Sequence, residues 1–324
     1  MSEIFFTFFD PMLFIVVPVI EMLTQQNAIL DDAMTVECNR GTRHLHAVRT
    51  GLPTVAWGKL YGGIAQSKST RVQVEDTTGF VEGLSTVDSR LLKLSGNPAA
   101  LRLSEAKAYI EAMNQEISSK LFYADSASDP EQFMGLAPRF NSLSATNGNN
   151  IIDAGGTGSD NTSIWFVTWG ENQTHLLYPQ GSTAGLDRED KGEQRVTDGG
   201  GDAYYVKEEM FSWHMGLAVK DWRYVSRIAN IDVSNLQAGS VALYTFMRKA
   251  LYKLQNRRVP GGKIAIYCNR DVLEALDALG TNSGSTDNFA RLRPMEIQGK
   301  EVLTYRGIPL RETDALLNTE ARVV

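Results

Sequence analysis

The chain has 324 residues, 43% hydrophobic and 22% charged, a composition that supports one large or two smaller folded domains. Its net charge of −6 does not fit the overall basic excess of a nucleic-acid-binding protein. Two distant cysteines, Cys38 and Cys268, exclude a disulfide framework, and the four histidines lack the ligand spacing of a zinc site. We therefore expect neither a metal nor a cofactor.

The N-terminal segment is strongly apolar. Residues 4–20 read IFFTFFDPMLFIVVPVI, but Asp10, Pro11 and Pro18 interrupt the run, which is shorter than the roughly 20 residues of a transmembrane helix. The first basic residue is Arg40, so the charged start of a signal peptide is missing. Two interpretations remain: an arm that buries its side chains against another subunit, or a membrane anchor.

Two alternating segments follow, at residues 42–49 and 69–77, and both have the period of β-strands. The segment between them contains four glycines and one proline and is too long for a tight hairpin turn. It also carries Trp57, Leu60 and Tyr61, whose exposure would be costly in a monomer. We expect an extended two-stranded loop that reaches a partner.

A long helix is predicted over about residues 97–123. Asn97 and Pro98 supply the cap and first-turn proline, and one apolar stripe then runs along the helix. The stripe consists of Leu103, Ala106, Ile110, Met113, Ile117 and Leu121.

The middle and last thirds differ in pattern. In the middle, SIWFVTW, THLLY, YYVKEEMFSWHMGLAV and DWRYVSRIANI read as strands, and residues 181–202 read as a polar, exposed loop. In the last third, we expect a helix over 238–256, the buried strand KIAIYC, a second helix capped by Asn269, and strands at EVLTY and IPLR.

Two short motifs resemble parts of an active site. Ser104 and Lys107 form an SxxK element, and Ser159-Asp160-Asn161 forms the SDN element of penicillin-recognising enzymes. The third element of that enzyme class is absent, and the glycine-rich stretch before Ser159 leads into a strand rather than a phosphate-binding helix. We expect a hydrogen-bonded turn at 159–161, with a serine acyl-transferring enzyme as the alternative.

Five longer stretches resemble the major capsid proteins of tailed, double-stranded DNA bacteriophages and prophages, mainly short-tailed ones. They are VEDTTGFVEGLSTVD (74–88), RLSEAKAYIEAMNQEISSKLFY (102–123), GLAPRF (135–140), NIIDAGGTGSDNTSIWFVTWG (150–170) and DWRYVSRIANIDVSNL (221–236). The resemblance covers about residues 21–324, and the Phe-rich segment 4–20 departs from the polar start that the family would have.

The resemblance implies the α+β fold of the Hong Kong 97 type. Its parts here would be an N-terminal arm (1–40), an extended loop (41–80), a peripheral domain with the spine helix and a β-sheet (81–232), and an axial α/β domain (233–324). It implies a structural subunit and no enzyme. Copies would form the hexamers and pentamers of an icosahedral shell around double-stranded DNA, without binding it specifically.

Partners and location follow from the same resemblance. It admits a cement or decoration protein, a scaffolding protein and a portal, with no membrane, and it places the chain in the virion after assembly in the host bacterial cytoplasm. Some relatives crosslink a loop lysine to an asparagine of a neighbour, whereas we expect the loop lysines here to serve solubility. The candidate contacts between subunits are Trp57, Lys59, Leu60, Tyr61, Lys68 and Arg71.

Overall fold

The computed structural model describes residues 25, 27–258, 260–281, 292–297 and 300–324, so the apolar segment 4–20 lies outside the described residues. The described helices are α1 (Ile29–Asp32), α2 (Ser89–Leu94), α3 (Pro98–Tyr123), α4 (Leu136–Arg139), α5 (Val233–Gln237), α6 (Leu243–Lys253) and α7 (Arg270–Thr281). The described strands are β1 (Thr35–Glu37), β2 (Arg43–Gly51), β3 (Thr70–Asp88), β4 (Ile151–Asp153), β5 (Asn161–Trp169), β6 (Thr174–Tyr178), β7 (Leu186–Thr197), β8 (Ala203–Val219), β9 (Val225–Asp232), β10 (Lys263–Cys268), β11 (Leu292–Ile297), β12 (Lys300–Tyr305) and β13 (Ile308–Glu312).

The chain divides into two compact units. The described part of the first contains residues 81–114 and 186–213, and the second contains residues 25–80, 115–185 and 214–324. Helix α3 and strands β3 and β8 each contribute residues to both units.

Strand β5 is the centre of the second unit. It pairs antiparallel with β9 and with β10, and β10 pairs in parallel with β13. Every residue of β5 is buried, because this strand has neighbours on both edges and packed side chains on both faces. Trp165 and Trp169 are part of this interior, and Trp169 donates from Nε1 to the hydroxyl of Tyr267 (2.8 Å).

Helices α6 and α7 cover the sheet of the second unit with apolar faces. Met247 and Leu251 of α6 and Val272 and Leu276 of α7 join the buried cluster around the sheet. The predicted cap is confirmed, since Asn269 Oδ1 accepts a hydrogen bond from the amide of Val272 (3.0 Å).

The helix predicted over 238–256 is present but shorter, since α6 spans Leu243–Lys253. A separate short helix, α5, ends at Gln237, just before the predicted range. Gly239, between the two helices, has a φ of +70°, the left-handed conformation that commonly ends a helix and that glycine adopts without strain. The predicted helix therefore begins about five residues later than expected.

Helix α3 confirms the predicted long helix, with Asn97 Oδ1 accepting from the amide of Ala100 (3.1 Å). The predicted continuous stripe is only partly right. In the first unit, Ala106 and Met113 pack against Phe211, but Leu103 and Ile110 are 52% and 40% exposed. On this stretch Tyr109, whose ring stacks on that of Phe211 at 5.7 Å, completes the buried seam, where the sequence indicated Leu103 and Ile110.

The polar segment 181–202 is not a loop along its length, which corrects the sequence interpretation. Strand β7 pairs antiparallel with β8 from Leu186 opposite Trp213 to Thr197 opposite Ala203. Both faces of β7 are polar, so it has no hydrophobic alternation to reveal it. Its cross-strand ion pair joins Arg188 to the buried Glu209 (2.8 Å).

Candidate inter-subunit surface

The loop between β2 and β3, residues 52–69, carries five of the six predicted contact residues: Trp57, Lys59, Leu60, Tyr61 and Lys68. The three apolar members are fully exposed, at 101% for Trp57, 94% for Leu60 and 110% for Tyr61. Soluble monomers rarely expose several large apolar side chains so close together. It is typical of a segment that is buried only in an assembly.

Little holds this loop in place from within. The amide of Gly62 donates to the carbonyl of Lys59 (3.1 Å), which forms a tight turn at the tip, and Ser67 Oγ donates to the carbonyl of Thr54 (2.7 Å). Tyr61 sits in that turn with a φ of +62°, which a residue with a Cβ adopts at a cost. The turn brings Lys59, Leu60 and Tyr61 together, whereas Lys68 lies near the start of β3.

The strands that carry the loop bring two like charges together. Arg71, the sixth predicted contact residue, lies on β3 directly opposite Arg49 of β2. Like charges at opposite positions destabilise a strand pair. Residues 47–73 contain these two arginines, Lys59 and Lys68, and no acidic residue. This outer part of the hairpin, residues 47–73, therefore presents a positive surface with no counter-charge of its own.

The base of the hairpin, in contrast, is fixed by a buried ion pair. Arg139 of α4 donates from Nη2 to Asp76 Oδ1 of β3 (2.7 Å) and to the carbonyl of Leu217 of β8 (3.1 Å). Sequence reasoning missed this pair, because 63 residues separate its partners and nothing in the sequence links the two stretches that contain them. The hairpin thus has an anchored base and an unsupported tip.

Three histidines lie beside this base. The ring of His44 lies 6.2 Å from that of His46 on β2 and 5.6 Å from that of His175 on β6, measured between ring centres. Burial lowers the pKa of all three, and burial together with the charge of Lys220 lowers that of His175 to about 3. Across the residues that the structure describes, no group of His, Cys, Asp and Glu is arranged to hold a metal ion.

A second buried network ties the C-terminal segment to β5. Arg227 donates from Nη2 to Glu320 Oε2 (2.8 Å), and its guanidinium lies 4.9 Å from the ring centre of Trp165. Ser163 and Tyr123 also donate hydroxyl hydrogen bonds to Glu320, and burial raises the pKa of the Tyr123 phenol. A serine beside a glutamate resembles catalytic chemistry, but Arg227 and Glu320 are each only 4% exposed. The network is sealed from substrates and its role is structural.

The SDN element forms a hydrogen-bonded turn, as predicted. Asn161 Nδ2 donates to the carbonyl of Gly158 (2.7 Å), and Ser234 Oγ donates to Asp160 Oδ2 (2.6 Å). Ser104 of the SxxK element lies inside helix α3, half-buried.

The membrane-anchor hypothesis rested on residues 4–20, outside the described part of the chain. Among the helices that are described, none combines the length and apolar character needed to span a bilayer.

Solved structures contain chains similar to this one. A chain in the cryo-EM structure of bacteriophage epsilon15 is 35% identical, with 94% of this chain and 92% of that chain covered and a TM-score of 0.72. Two distant matches have lower scores: the SrpI encapsulin of Synechococcus elongatus PCC 7942 (12% identity, 71% of this chain and 93% of that one, TM-score 0.45) and the capsid of a native GTA particle (9% identity, 65% and 92%, TM-score 0.46). Comparison with curated protein sequences finds no match.

The epsilon15 similarity confirms the expected α+β fold of the Hong Kong 97 type. A family model described as "Major capsid protein GP7" matches residues 15–324, nearly the whole sequence. The chain therefore belongs to the major capsid protein GP7 family.

Proposed function

We propose that copies of this capsid protein assemble into the hexamers and pentamers of an icosahedral shell that encloses double-stranded DNA. The observation that carries the proposal is the fully exposed apolar tip of the extended loop, Trp57, Leu60 and Tyr61, in a chain of the capsid family. Fully burying one side chain such as Leu60 stabilises an interface by about 1.5–3 kcal/mol. Each loop would lie across a neighbouring copy and exclude water there.

The charged loop residues complete the proposed contact. Lys59, Lys68 and Arg71 are exposed and would meet carboxylates of the neighbour, since the hairpin offers them none within residues 47–73. Exposed ion pairs add little affinity, but they steer two surfaces into register. The apolar tip would then supply most of the binding energy, and the cations most of the orientation.

The proposed division of labour follows the family. Residues 1–40 would form the N-terminal arm, 41–80 the extended loop, 81–232 the peripheral domain, and 233–324 the axial domain. The role is structural rather than enzymatic. Assembly would take place in the host bacterial cytoplasm with a scaffolding protein and a portal, and a cement or decoration protein would reinforce the mature virion.

The test is the assembly of the purified chain, followed by size-exclusion chromatography and negative-stain microscopy. The native chain is expected to form rings or shells, alone or with its scaffolding partner. The variant Trp57→Ser/Leu60→Ser/Tyr61→Ser should lose them, while Gln66→Ala on the same loop should not. Because these side chains are exposed in the free subunit, urea unfolding of the triple variant should match that of the native chain.

Two results would count against the proposal. A native chain that remains monomeric under all these conditions would contradict the shell role. A triple variant that forms native-like particles in equal yield would leave the shell role standing but remove the loop from the interface.

A further inference from the structure

The chain has an acidic net charge but contains one strongly basic segment. Residues 233–270 contain no aspartate or glutamate, although the whole chain carries −6. Their seven cations are Arg248, Lys249, Lys253, Arg257, Arg258, Lys263 and Arg270. All seven are exposed, so this part of the second unit has a positive surface.

Helix α6 orders part of this surface. Its apolar face, which includes Met247 and Leu251, packs into the core. On another face, Tyr244, Arg248 and Tyr252 follow one another at intervals of four residues, the spacing that places side chains in a row along a helix. Arg248 and Tyr252 of this row are exposed. The helix therefore presents alternating aromatic and cationic groups.

The hairpin of β11 and β12 forms the opposite wall of a cleft. Arg293 of β11 lies opposite Thr304 of β12, and Arg306 follows directly after β12 with a φ of +53°. The cleft between this wall and α6 has a volume of about 690 Å³. It is lined by Tyr244, Thr245, Arg248, Arg293, Pro294, Met295, Thr304, Tyr305, Arg306 and Gly307, which include three arginines and no acidic residue.

One arginine of the cleft, Arg306, lies against aromatic rings instead of a carboxylate, and so does Arg257 beside it. The guanidinium of Arg306 lies 5.9 Å from the ring centre of Tyr252 and 5.7 Å from that of Tyr305, and that of Arg257 lies 4.6 Å from Tyr252. Arg270, in contrast, pairs with Glu312 (3.0 Å). Within the described residues, no ion pair involves Arg248, Arg293 or Arg306. The cleft thus retains its full positive charge.

We propose that this cleft binds the phosphodiester backbone of nucleic acid, and that its natural occupant is the DNA which the shell encloses. A guanidinium matches the geometry of a phosphate with two parallel hydrogen bonds, and cation–π contact restrains the arginine without neutralising it. The hydroxyl of Thr245 adds a neutral donor. The inference rests on the proposed function and adds to it a defined contact with DNA on an otherwise acidic subunit.

An acidic segment of a second copy would be the competing occupant. The N-terminal residues 1–39 hold six acidic residues and no basic one. Two of those in the described part are already engaged, since Asp32 pairs with Arg311 (2.7 Å) and Glu37 accepts from the amide of Gly181 (2.8 Å). The cleft also offers tyrosine and threonine hydroxyl groups beside its arginines. Phosphate oxygens accept hydrogen bonds from such hydroxyls, so the lining suits a phosphate better than a carboxylate that is held by charge alone.

The test measures binding of a fluorescent, mixed-sequence DNA duplex to the full-length chain by anisotropy over a series of salt concentrations. The variant Arg248→Gln/Arg293→Gln/Arg306→Gln should bind more weakly, and the slope of log K against log salt should fall by about three, close to one per phosphate contact. The matched control is Arg90→Gln/Lys93→Gln/Lys107→Gln, which removes the same charge from exposed positions outside the cleft. Its slope should stay near that of the native chain.

A measurement on the native chain covers the case in which the variant fails to fold. Phenylglyoxal should modify Arg248, Arg293 and Arg306 less when duplex DNA is present, whereas modification of Arg90 should not change. Protection by inorganic phosphate at low concentration, without protection by DNA, would assign the cleft to a free anion and overturn the proposal.

Assembly of the same variants separates this inference from the shell function. Native-like particles from the cleft variant, with DNA binding equal to that of the control, would overturn the inference and leave the shell role intact. Loss of particles with unchanged DNA affinity would instead show that the cleft is an interface between copies. Particles with weakened DNA binding are the expected result.

Discussion

Arg139 and Asp76 form a buried ion pair, 2.7 Å between Nη2 and Oδ1, at the base of the extended hairpin. The pair holds α4, β3 and β8 together, since Arg139 also donates to the carbonyl of Leu217. The side chain of Asp76 is only 3% exposed, so a lost partner cannot be replaced by bulk water. The exposed loop at residues 52–69 is thereby attached to a base that is fixed by buried contacts.

The first prediction concerns this pair. Arg139→Met leaves the Asp76 carboxylate buried without its cation, and we expect the free energy of unfolding to fall by up to about 3–5 kcal/mol. Urea unfolding at neutral pH measures the loss. The double variant Arg139→Met/Asp76→Leu should recover much of it, because no charge then remains buried. A double variant as unstable as the single one would contradict this account.

The second prediction is the pH dependence of stability. Burial lowers the pKa of His175 to about 3, so the folded state stays neutral at pH values where an unfolded histidine, with a pKa of about 6.5, binds a proton. The contribution of His175 to the free energy of unfolding is therefore fully present above about pH 6.5, and it is lost as the pH decreases towards 3. The slope from this group approaches about 1.4 kcal/mol per pH unit. His44 and His46, with lowered pKa values, add to it.

Urea unfolding over that pH range tests the prediction. His175→Gln should reduce the slope, while His214→Gln should leave it unchanged, since His214 lies beside Phe80 and outside the three-histidine group. Equal slopes in the native and His175→Gln chains would show that His175 is not the source of the acid sensitivity.

The third prediction concerns the C-terminal network. Glu320→Ala removes the carboxylate that accepts from Arg227, Ser163 and Tyr123, and leaves the Arg227 cation buried. We expect a loss of about 3–5 kcal/mol in the free energy of unfolding. Arg322→Gln, an exposed change two residues away, serves as the control and should cost less than about 0.5 kcal/mol. Equal stability of the two variants would show that the network is dispensable.

The fourth prediction concerns the glycine-rich turn before β5. A Cβ on Gly156 would lie 2.6 Å from the carbonyl oxygen of Asn230 and 2.4 Å from Asn161 Oδ1. Gly156→Ala must therefore move backbone, and we expect a loss of about 1–3 kcal/mol, as for overpacking a core. Gly63→Ala, whose Cβ would have no atom within 4 Å, should be nearly neutral. Thermal unfolding of both variants decides it.

The sequence was most informative where one element carried one clear pattern. Strands β5, β6 and β10 are continuous or nearly continuous apolar runs, and helices α3 and α7 begin at asparagine caps. These signals are local, so a reader of the sequence can recover them without knowing any tertiary contact. The resemblance to capsid proteins then supplied the order of the parts.

What escaped prediction depends on distant partners. Strand β7 has no apolar face, and it is defined by its antiparallel pairing with β8 at eleven positions. The Arg139–Asp76 pair was invisible for the same reason, because polar residues in a strand and in a short helix are ordinary. The cluster of cleft arginines could not be recognised from the net charge, because that sum combines the acidic and the basic regions of the chain.

Arg49 and Arg71, which face each other on the hairpin, also disfavour pairing between the same strand edges of two subunits. Strand β2 lies at the edge of its sheet, and an open edge can pair with the same edge of another copy and start an aggregate. Two such edges would bring four arginines together, so that encounter is repelled. A neighbour's carboxylates suffer no such repulsion. In the proposed shell, the hairpin would therefore accept an acidic surface of a neighbour and repel an identical strand edge.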